Sequence, residues 1–404
     1  MSAMTQARLS VLVLNAGSSS IKFAGYPADG GEGGAILRGQ VAGIGAHPIL
    51  SGQRADGTAL KTDRGKIPGP GADHAAALAA IMVHLPGWEP GFRLVAAGHR
   101  VVHGGGEFTE PVRVTPAIVE RLAALAPLAP HHQPHNIAAI RAMAAAEPDL
   151  PQVACFDTAF HAGQPAIARR LGLPRAHEDK GLRRYGFHGL SCEYVTGAFA
   201  RVTGQSLPER TVIAHLGNGC SLTAVRGGHS VATSMGFSTV DGVPMATRSG
   251  AVDPGALLYL MNEHGLDHEG LRDLLYNRSG LLGVSGISAD MKILLESSEP
   301  AAKEAVEFFC YRVVREIGSL AMALGGLDAL VFTGGIGERA APVRAEICRA
   351  AAWLGLDLDE VANARAASRI AKAGSRVSAW IVPTDEESVI ARHALALIQK
   401  RETV

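Results

Sequence analysis

Two stretches of this chain follow one plan. Val11-Leu-Val-Leu-Asn-Ala-Gly-Ser-Ser-Ser-Ile-Lys-Phe is an apolar run, a small polar turn and a second run, and Val212-Ile-Ala-His-Leu-Gly-Asn-Gly-Cys-Ser-Leu-Thr-Ala-Val repeats it. Each has a later companion, a short apolar strand running into glycines: Leu94-Val-Ala-Ala-Gly-His-Arg-Val-Val-His-Gly-Gly-Gly after the first, Leu330-Val-Phe-Thr-Gly-Gly-Ile-Gly-Glu after the second. A doubled strand–turn–strand unit, each copy with its own glycine-rich strand end, predicts two α/β domains of similar plan. A length of 404 residues is more than one core usually serves.

Composition narrows the function classes. Lys plus Arg and Asp plus Glu number 38 each, with no acidic or basic tail, so a nucleic-acid or membrane-surface role finds no electrostatic support. The five cysteines, Cys155, Cys192, Cys220, Cys310 and Cys348, are odd in number, widely spaced and lack a CxxC. That argues against a disulfide framework or zinc knuckle and fits a reducing cytoplasm. Leu9 to Leu14 followed by Ala-Gly-Ser mimics a signal peptide, but the apolar run is too short and reads as a buried strand. No apolar run reaches the ~20 residues a membrane span needs; Ile317 to Phe332 comes nearest and carries Gly-Gly and Asp328.

Helix signals alternate with the strands. Thr115-Pro116 is an N-cap followed by proline at the first helical position, with Ile118, Leu122 and Leu125 at helical spacing and Pro127 as a stop. Val306, Phe309, Cys310, Val313, Ile317, Leu320 and Leu324 make a long apolar stripe. Glu386 to Lys400 is expected as a third helix, acids in its first turn and Lys400 and Arg401 at its end, as the macrodipole prefers. Gly30 to Gly34 and Gly65 to Gly71 read as surface loops.

Three small-residue turns could cradle an anion: Asn15 to Lys22, with Gly17 and the hydroxyls of Ser18, Ser19 and Ser20; His215 to Ser221; and Gly334 to Glu338. Singly, each is more often a plain turn; three in one chain favour phosphate binding more than any one does. None is a P-loop, and no G-x-G-x-x-G follows a strand, so Walker-type NTPases and Rossmann dehydrogenases are disfavoured. Arg100 follows Gly98-His99 at a strand end and Arg248 sits in Thr247 to Pro254; both are read as loop-borne beside glycine, suited to clamping a phosphate or carboxylate, or equally to a surface salt bridge. Asp157, in Cys155-Phe-Asp-Thr, ends an apolar run where a carboxylate faces the crevice of a parallel sheet and commonly holds Mg²⁺ through water; the competing reading is an N-cap. His131-His-Gln-Pro-His135 resembles a metal motif, but it reads as a proline-rich loop without a helical frame, and no acid or cysteine completes it. His188, flanked by glycines in Tyr185-Gly-Phe-His-Gly189, is either a neutral donor to a developing anion or a buried structural histidine.

Taken in order, the blocks LNAGSSSIKF, GHRVVHGG, CFDTAFH, RRYGFHG, HLGNG, TSMGF, TRSGAVDPG, FTGGIGE and PTDEE resemble the acetate kinase family of short-chain acyl kinases over almost the whole chain. The resemblance implies two ribonuclease-H-like domains, the fold of actin, hexokinase and the Hsp70 chaperones, with ATP held between them: residues 1–155 plus 386–404 as the first and 156–385 as the nucleotide-binding second. It implies reversible phosphoryl transfer from ATP to acetate, with propionate or another short acid as the nearest alternative and a non-acyl ATPase or filament protein of the same fold as a remoter one. It further implies ATP/ADP and Mg²⁺, or Mn²⁺ in its place, a cytoplasmic homodimer, and no nucleic-acid or membrane partner.

Carried over by motif, Asn15 meets phosphate and metal within a turn that includes Ser18, Ser20 and Lys22. Asp157 and Glu386 position the metal. Arg100 and Arg248 clamp the acyl carboxylate and the phosphoryl group in flight, with His188 as donor and His132 nearby. His215, Gly217, Asn218 and Gly219, with Gly334, Gly335, Ile336 and Gly337, line the ATP phosphates. Asp290 and Lys292 fall in the segment over the adenine, and Val102 and Phe187 wall the acyl pocket. The chain departs from the family's usual residues at His131 and Thr239 beside that pocket, at Asp290-Met-Lys292 where an arginine is common, and at Ala251. It departs again at Arg339 and at Asp385, the last two standing where asparagine is usual.

Overall fold

A computed structural model describes residues 8–28, 34–89 and 91–399. The chain forms two compact units. The first runs up to Ala159 and takes in the segment from Asp385; the second is continuous from Phe160 to Thr384.

In the first unit, strands β1 (Arg8–Ala16), β2 (Ser20–Pro27), β3 (Leu37–Ala42), β4 (Ile49–Arg54), β5 (Phe92–Val101), β6 (Val112–Arg113) and β7 (Gln152–Phe156) make one sheet in the order β4-β3-β2-β1-β5-β7-β6. β1 to β4 are an antiparallel meander, and β5 lies parallel to β1 and to β7. Val11 to Leu14 are buried without alternation, as a strand covered on both faces requires. Helices His74–Trp88 and Gln133–Ala146 pack together over one apolar cluster that includes Leu12, Phe23, Ile81 and Met143. Helix Glu386–Gln399 packs on β1, β5 and β7. It comes so close that a Cβ on Gly98 would sit 2.5 Å from Ile390 Cγ2, so β5 needs a glycine there.

In the second unit, β8 (Arg210–Leu216), β9 (Cys220–Arg226), β10 (His229–Thr233), β11 (Ala329–Thr333) and β12 (Ser378–Ile381) form the order β10-β9-β8-β11-β12. Three antiparallel strands followed by two parallel ones repeat the β3-β2-β1-β5-β7 portion of the first sheet. The doubling read in the sequence is therefore a doubling of topology. Cys192, Val195 and Phe199 of helix Gly189–Thr203 pack on Ile213, Val225, Val331 and Trp380. Helix Pro300–Leu324 buries the expected stripe from Val306 to Leu324 and stops at Gly325, φ +69°.

Local expectations meet mixed outcomes. Thr115 accepts the Ile118 N–H at 3.3 Å with Pro116 at the first helical position. Three readings are corrected. His131 to His135 is not a loop: His132 is the N-cap of helix Gln133–Ala146, whose first turn holds Pro134 and His135. Arg100 is not loop-borne but lies on β5. Gly334 to Glu338 is a short helix, Gly334–Arg339, rather than a turn. Lys400 and Arg401, and Gly30 to Gly33, lie outside the described residues. No helix among the described residues is long and apolar enough to cross a membrane.

Candidate functional site

The first unit gathers its charged groups where β1, β5 and β7 end side by side. Arg100 Nε and NH2 donate to Asp157 Oδ1 and Oδ2 at 2.9 and 2.6 Å, a bidentate fork, and NH1 reaches Asn15 Oδ1 at 3.4 Å. Glu386 Oε2 lies 3.7 Å from Arg100 Nε. The side chains of Arg100, Asp157 and Glu386 are 20%, 2% and 16% exposed, so the cluster is shielded from water. Asp157 thus faces Arg100. Burial, with Asp157 and Glu387 nearby, pushes the Glu386 carboxyl up to about 7 against the pull of Arg100 and Lys22. The site holds more negative charge than its one arginine neutralises.

That imbalance bears on a metal. Among the described residues no group of three or more His, Cys, Asp or Glu is placed to hold one. The described residues therefore offer no donor set for a closed zinc site. Asp157, Glu386 and the Asn15 amide oxygen fit a hard divalent cation that keeps several waters and shares phosphate oxygens. In the neighbouring turn, the Gly17 N–H is already bonded to Ser20 O at 2.8 Å, so it closes the hairpin rather than facing an anion. Ser18 and Lys22 are exposed and Ser20 half-buried.

Asn136, which sequence reasoning passed over, ties the strand ends together: its Nδ2 donates to Ala16 O at 2.7 Å and its Oδ1 accepts the Val102 N–H at 3.0 Å. Val102 is buried just beyond β5. His132 and His131 are half-buried at the start of the same helix. His135 stacks on His74 at 5.0 Å, and burial, then His74 and His131, lowers its pKa.

The second unit assembles a different group. His188 caps helix Gly189–Thr203 in the left-handed region, φ +57°, a strained conformation for a residue with a Cβ. Its Nδ1 lies 3.0 Å from Ser221 Oγ, and its ring stacks on His215 at 4.3 Å. His215 Nδ1 meets Ser191 Oγ at 2.8 Å, and that hydroxyl donates to Thr384 Oγ1 at 2.9 Å. Behind them, the buried His161 contacts Phe187 O through Nε2 and Ser230 Oγ through Nδ1, both at 2.9 Å. Burial lowers its pKa to about 4, so the ring is neutral and Nε2–H donates. Phe187 itself is buried.

Arg248 NH1 donates to Thr239 O at 3.2 Å. A Cβ on Gly219 would lie 3.2 Å from His188 Nε2 and 3.6 Å from Arg248 NH1, so the two side chains converge on a residue that has none. Gly217 and Gly335 also approach: a Cβ on the former would be 3.8 Å from the latter's N. Gly334, φ +76°, could carry no side chain because Leu216 O would be 2.8 Å away. Glu338 Oε1 braces this corner, accepting from Gly334 N at 3.0 Å and Thr384 N at 3.2 Å. Asn218 is exposed, and Ile336 half-buried. The Gly337 carbonyl accepts from the fully buried Arg344 at 3.0 Å. Asp290 caps helix Met291–Glu296, and Lys292 Nζ lies 3.8 Å from Glu296.

Of two sheets of ribonuclease-H-like order, one ends in a carboxylate–arginine cluster and the other in a histidine–arginine cluster beside close-set glycines, and each group is of the kind that the phosphotransferase class uses. The Acetokinase family profile matches residues 10–392, and the chain belongs to that family. It is 50% identical over 392 residues to the acetate kinase of Rhodopseudomonas palustris, covering 96% of this chain and 98% of that one. Among solved structures it is similar to the Porphyromonas gingivalis acetate kinase (34% identity, TM-score 0.86, 96% of this chain and 99% of that one). It is equally similar to a Francisella tularensis propionate kinase (34% identity, TM-score 0.87, the same coverage).

Proposed function

We propose that this protein transfers the γ-phosphoryl group of ATP to acetate, giving acetyl phosphate and ADP, and runs in both directions. The observation that carries the reading is the convergence of His188 Nε2 and Arg248 NH1 on Gly219, which sets a ring nitrogen and a guanidinium side by side, the groups that would meet charge developing on a phosphoryl group. The family implies ATP or ADP and a divalent metal. Mg²⁺ is our choice, with Mn²⁺ able to replace it, because Asp157, Glu386 and Asn15 offer only oxygen donors. When bound, the cation supplies positive charge to the nucleotide phosphates.

The acceptor is a carboxylate, ionised at neutral pH and needing no general base. One carboxylate oxygen attacks the γ-phosphorus in line, the bond to the β-phosphate oxygen breaks, and ADP leaves with its electron pair. The obstacle is repulsion between two anions. Arg100 and Arg248 hold the carboxylate and the moving group, His188 donates to it, and His132 assists. Asp157, with both oxygens on Arg100, keeps that guanidinium aimed. His215, Gly217, Asn218 and Gly219, with Gly334, Gly335, Ile336 and Gly337, line the nucleotide phosphates, and Ser18, Ser20 and Lys22 add donors. Asp290 and Lys292 border the base. Val102 and Phe187 wall the acyl group. The working form is a cytoplasmic homodimer, and five cysteines, odd in number and without a CxxC, suit a reducing compartment.

Acetate, ATP and hydroxylamine should give acetohydroxamate in step with ADP. ADP release without hydroxamate would remove the acyl acceptor. A second reading, propionate as the preferred acid, draws on the similarity to the propionate kinase, and a panel from formate to butyrate in the same assay separates the two.

A further inference from the structure

Residues 385 to 387 are three acids in a row, Asp-Glu-Glu, at the start of helix Glu386–Gln399. A helix N-terminus favours all of them and chooses none. The choice is made by the sheet beneath. Tyr26, fully buried on β2, donates its hydroxyl to Asp385 Oδ1 at 2.7 Å. Arg38 NH2, on β3, donates to Asp385 Oδ2 at 2.7 Å and to Tyr26 Oη at 3.0 Å. The Ser388 N–H adds a 3.3 Å bond to Oδ1, and Ser388 Oγ donates to Asp385 O at 2.8 Å. Both oxygens of Asp385 are thereby taken, and the side chain is 18% exposed.

Consecutive helical residues point about 100° apart. With Asp385 fixed, Glu386 faces Arg100, while Glu387 faces a groove of about 430 Å³ lined also by Lys22, Arg38, Gln40 and Ser51. A rotation of the first turn by one residue would bring Glu387 to the place where Glu386 stands and carry Glu386 to that of Asp385.

We infer that Tyr26 and Arg38 clamp Asp385 to set the phase of this helix, so that Glu386 and not Glu387 stands beside Arg100 and Asp157. Asp385, Tyr26 and Arg38 are positioning residues. The inference rests on the proposed role of Glu386 in holding the metal. It also gives a partner to one departure from the family's pattern: where asparagine is usual, this chain has an aspartate, and an arginine on β3 neutralises it. An asparagine would keep the bonds from Tyr26 and Ser388 and lose the one from Arg38.

The test is Mn²⁺ binding to the full chain in the presence of ADP, followed by electron paramagnetic resonance, so that turnover is not the readout. Asp385→Ala should weaken binding about tenfold, as loss of an outer support of a metal ligand does. Tyr26→Phe, which keeps the packing, should weaken it about threefold, the value of one hydrogen bond. Asp385→Asn should recover most of the loss. The slip has its own signature: Glu387→Gln leaves binding unchanged in the native chain and weakens it in the Asp385→Ala background. Native affinity in both Asp385→Ala and Tyr26→Phe, or no effect of Glu387→Gln in the Asp385→Ala background, overturns the clamp. Glu386→Gln is the control: if it binds Mn²⁺ like the native chain, the proposed role of Glu386 fails instead.

Discussion

Replacing His161 by glutamine should flatten the acid side of the stability profile of the second unit. The neutral ring bridges Phe187 O and Ser230 Oγ with no exposed surface. Its pKa falls from the ordinary 6.5 to about 4 on burial. Folding therefore excludes a proton that the unfolded chain takes up below pH 6.5, so the contribution is intact above that pH and is lost as pH falls toward 4. The full difference corresponds to about 3 kcal/mol. Between pH 7.5 and pH 5.0 the loss is about 2 kcal/mol. His99 has the same sign and range but lies in the first unit. The transition must therefore be read in the second unit, through the buried Trp380 in a Trp88→Phe background. Urea unfolding at the two pH values, for the native residue and for His161→Gln, yields the difference directly. Other titrating groups are common to both proteins and cancel. Glutamine retains an N–H for Phe187 O, so the variant should fold at pH 7.5. An equal loss in both proteins between pH 7.5 and 5.0 would refute the reasoning.

Arg100→Ala and Arg248→Ala should each lower kcat ~10²–10³-fold while calorimetry shows ADP still binding; near-native turnover removes the clamp role. Asp157→Ala should raise the Mg²⁺ concentration for half activity about tenfold, and an unchanged titration would make that acid purely structural. Arg344→Met orphans two buried acceptors, Asn363 Oδ1 and Gly337 O, and takes from Asn363 O one of its two donors, the Ala366 N–H remaining; it should cost about 2–4 kcal/mol by denaturation and weaken nucleotide binding. His131→Leu should leave the propionate-to-acetate ratio of kcat/KM within twofold, because His131 lies close enough to His135 to depress its pKa. A rise approaching fourfold, the worth of one buried methylene, would place His131 at the acyl group instead.

What the sequence made legible was local. The hairpin of β1 and β2, the Thr115 cap and the stripe from Val306 to Leu324 depend on neighbours a few residues apart, and each could be read from spacing. The doubled sheet was legible because the same short pattern occurs twice. Arg100 was misread because glycines on both sides suggest a loop, whereas Gly98 is there to admit Ile390 against a strand. The histidine run was misread because proline suggests a break, although at the first turn of a helix it is favoured. Asn136 and Ser191 carry no motif of their own and matter only through partners that the fold supplies. Asp385 and Arg38 are 347 positions apart, and no periodicity links them. The charge excess at Glu386 is likewise a property of three chain segments packed together.

The second unit is one uninterrupted stretch, whereas the first is closed by a returning segment that begins at Asp385 and carries helix Glu386–Gln399. During synthesis the second unit has its whole sequence available before the first does. The first must wait with β1, β5 and β7 uncovered where helix Glu386–Gln399 will lie. A ribosome that stops short of Asp385 thus releases a chain lacking both a seal on its earlier sheet and Glu386. Such a fragment would expose apolar strand surface, the usual trigger for chaperone capture and proteolysis, and would lack the carboxylate that we propose holds the metal.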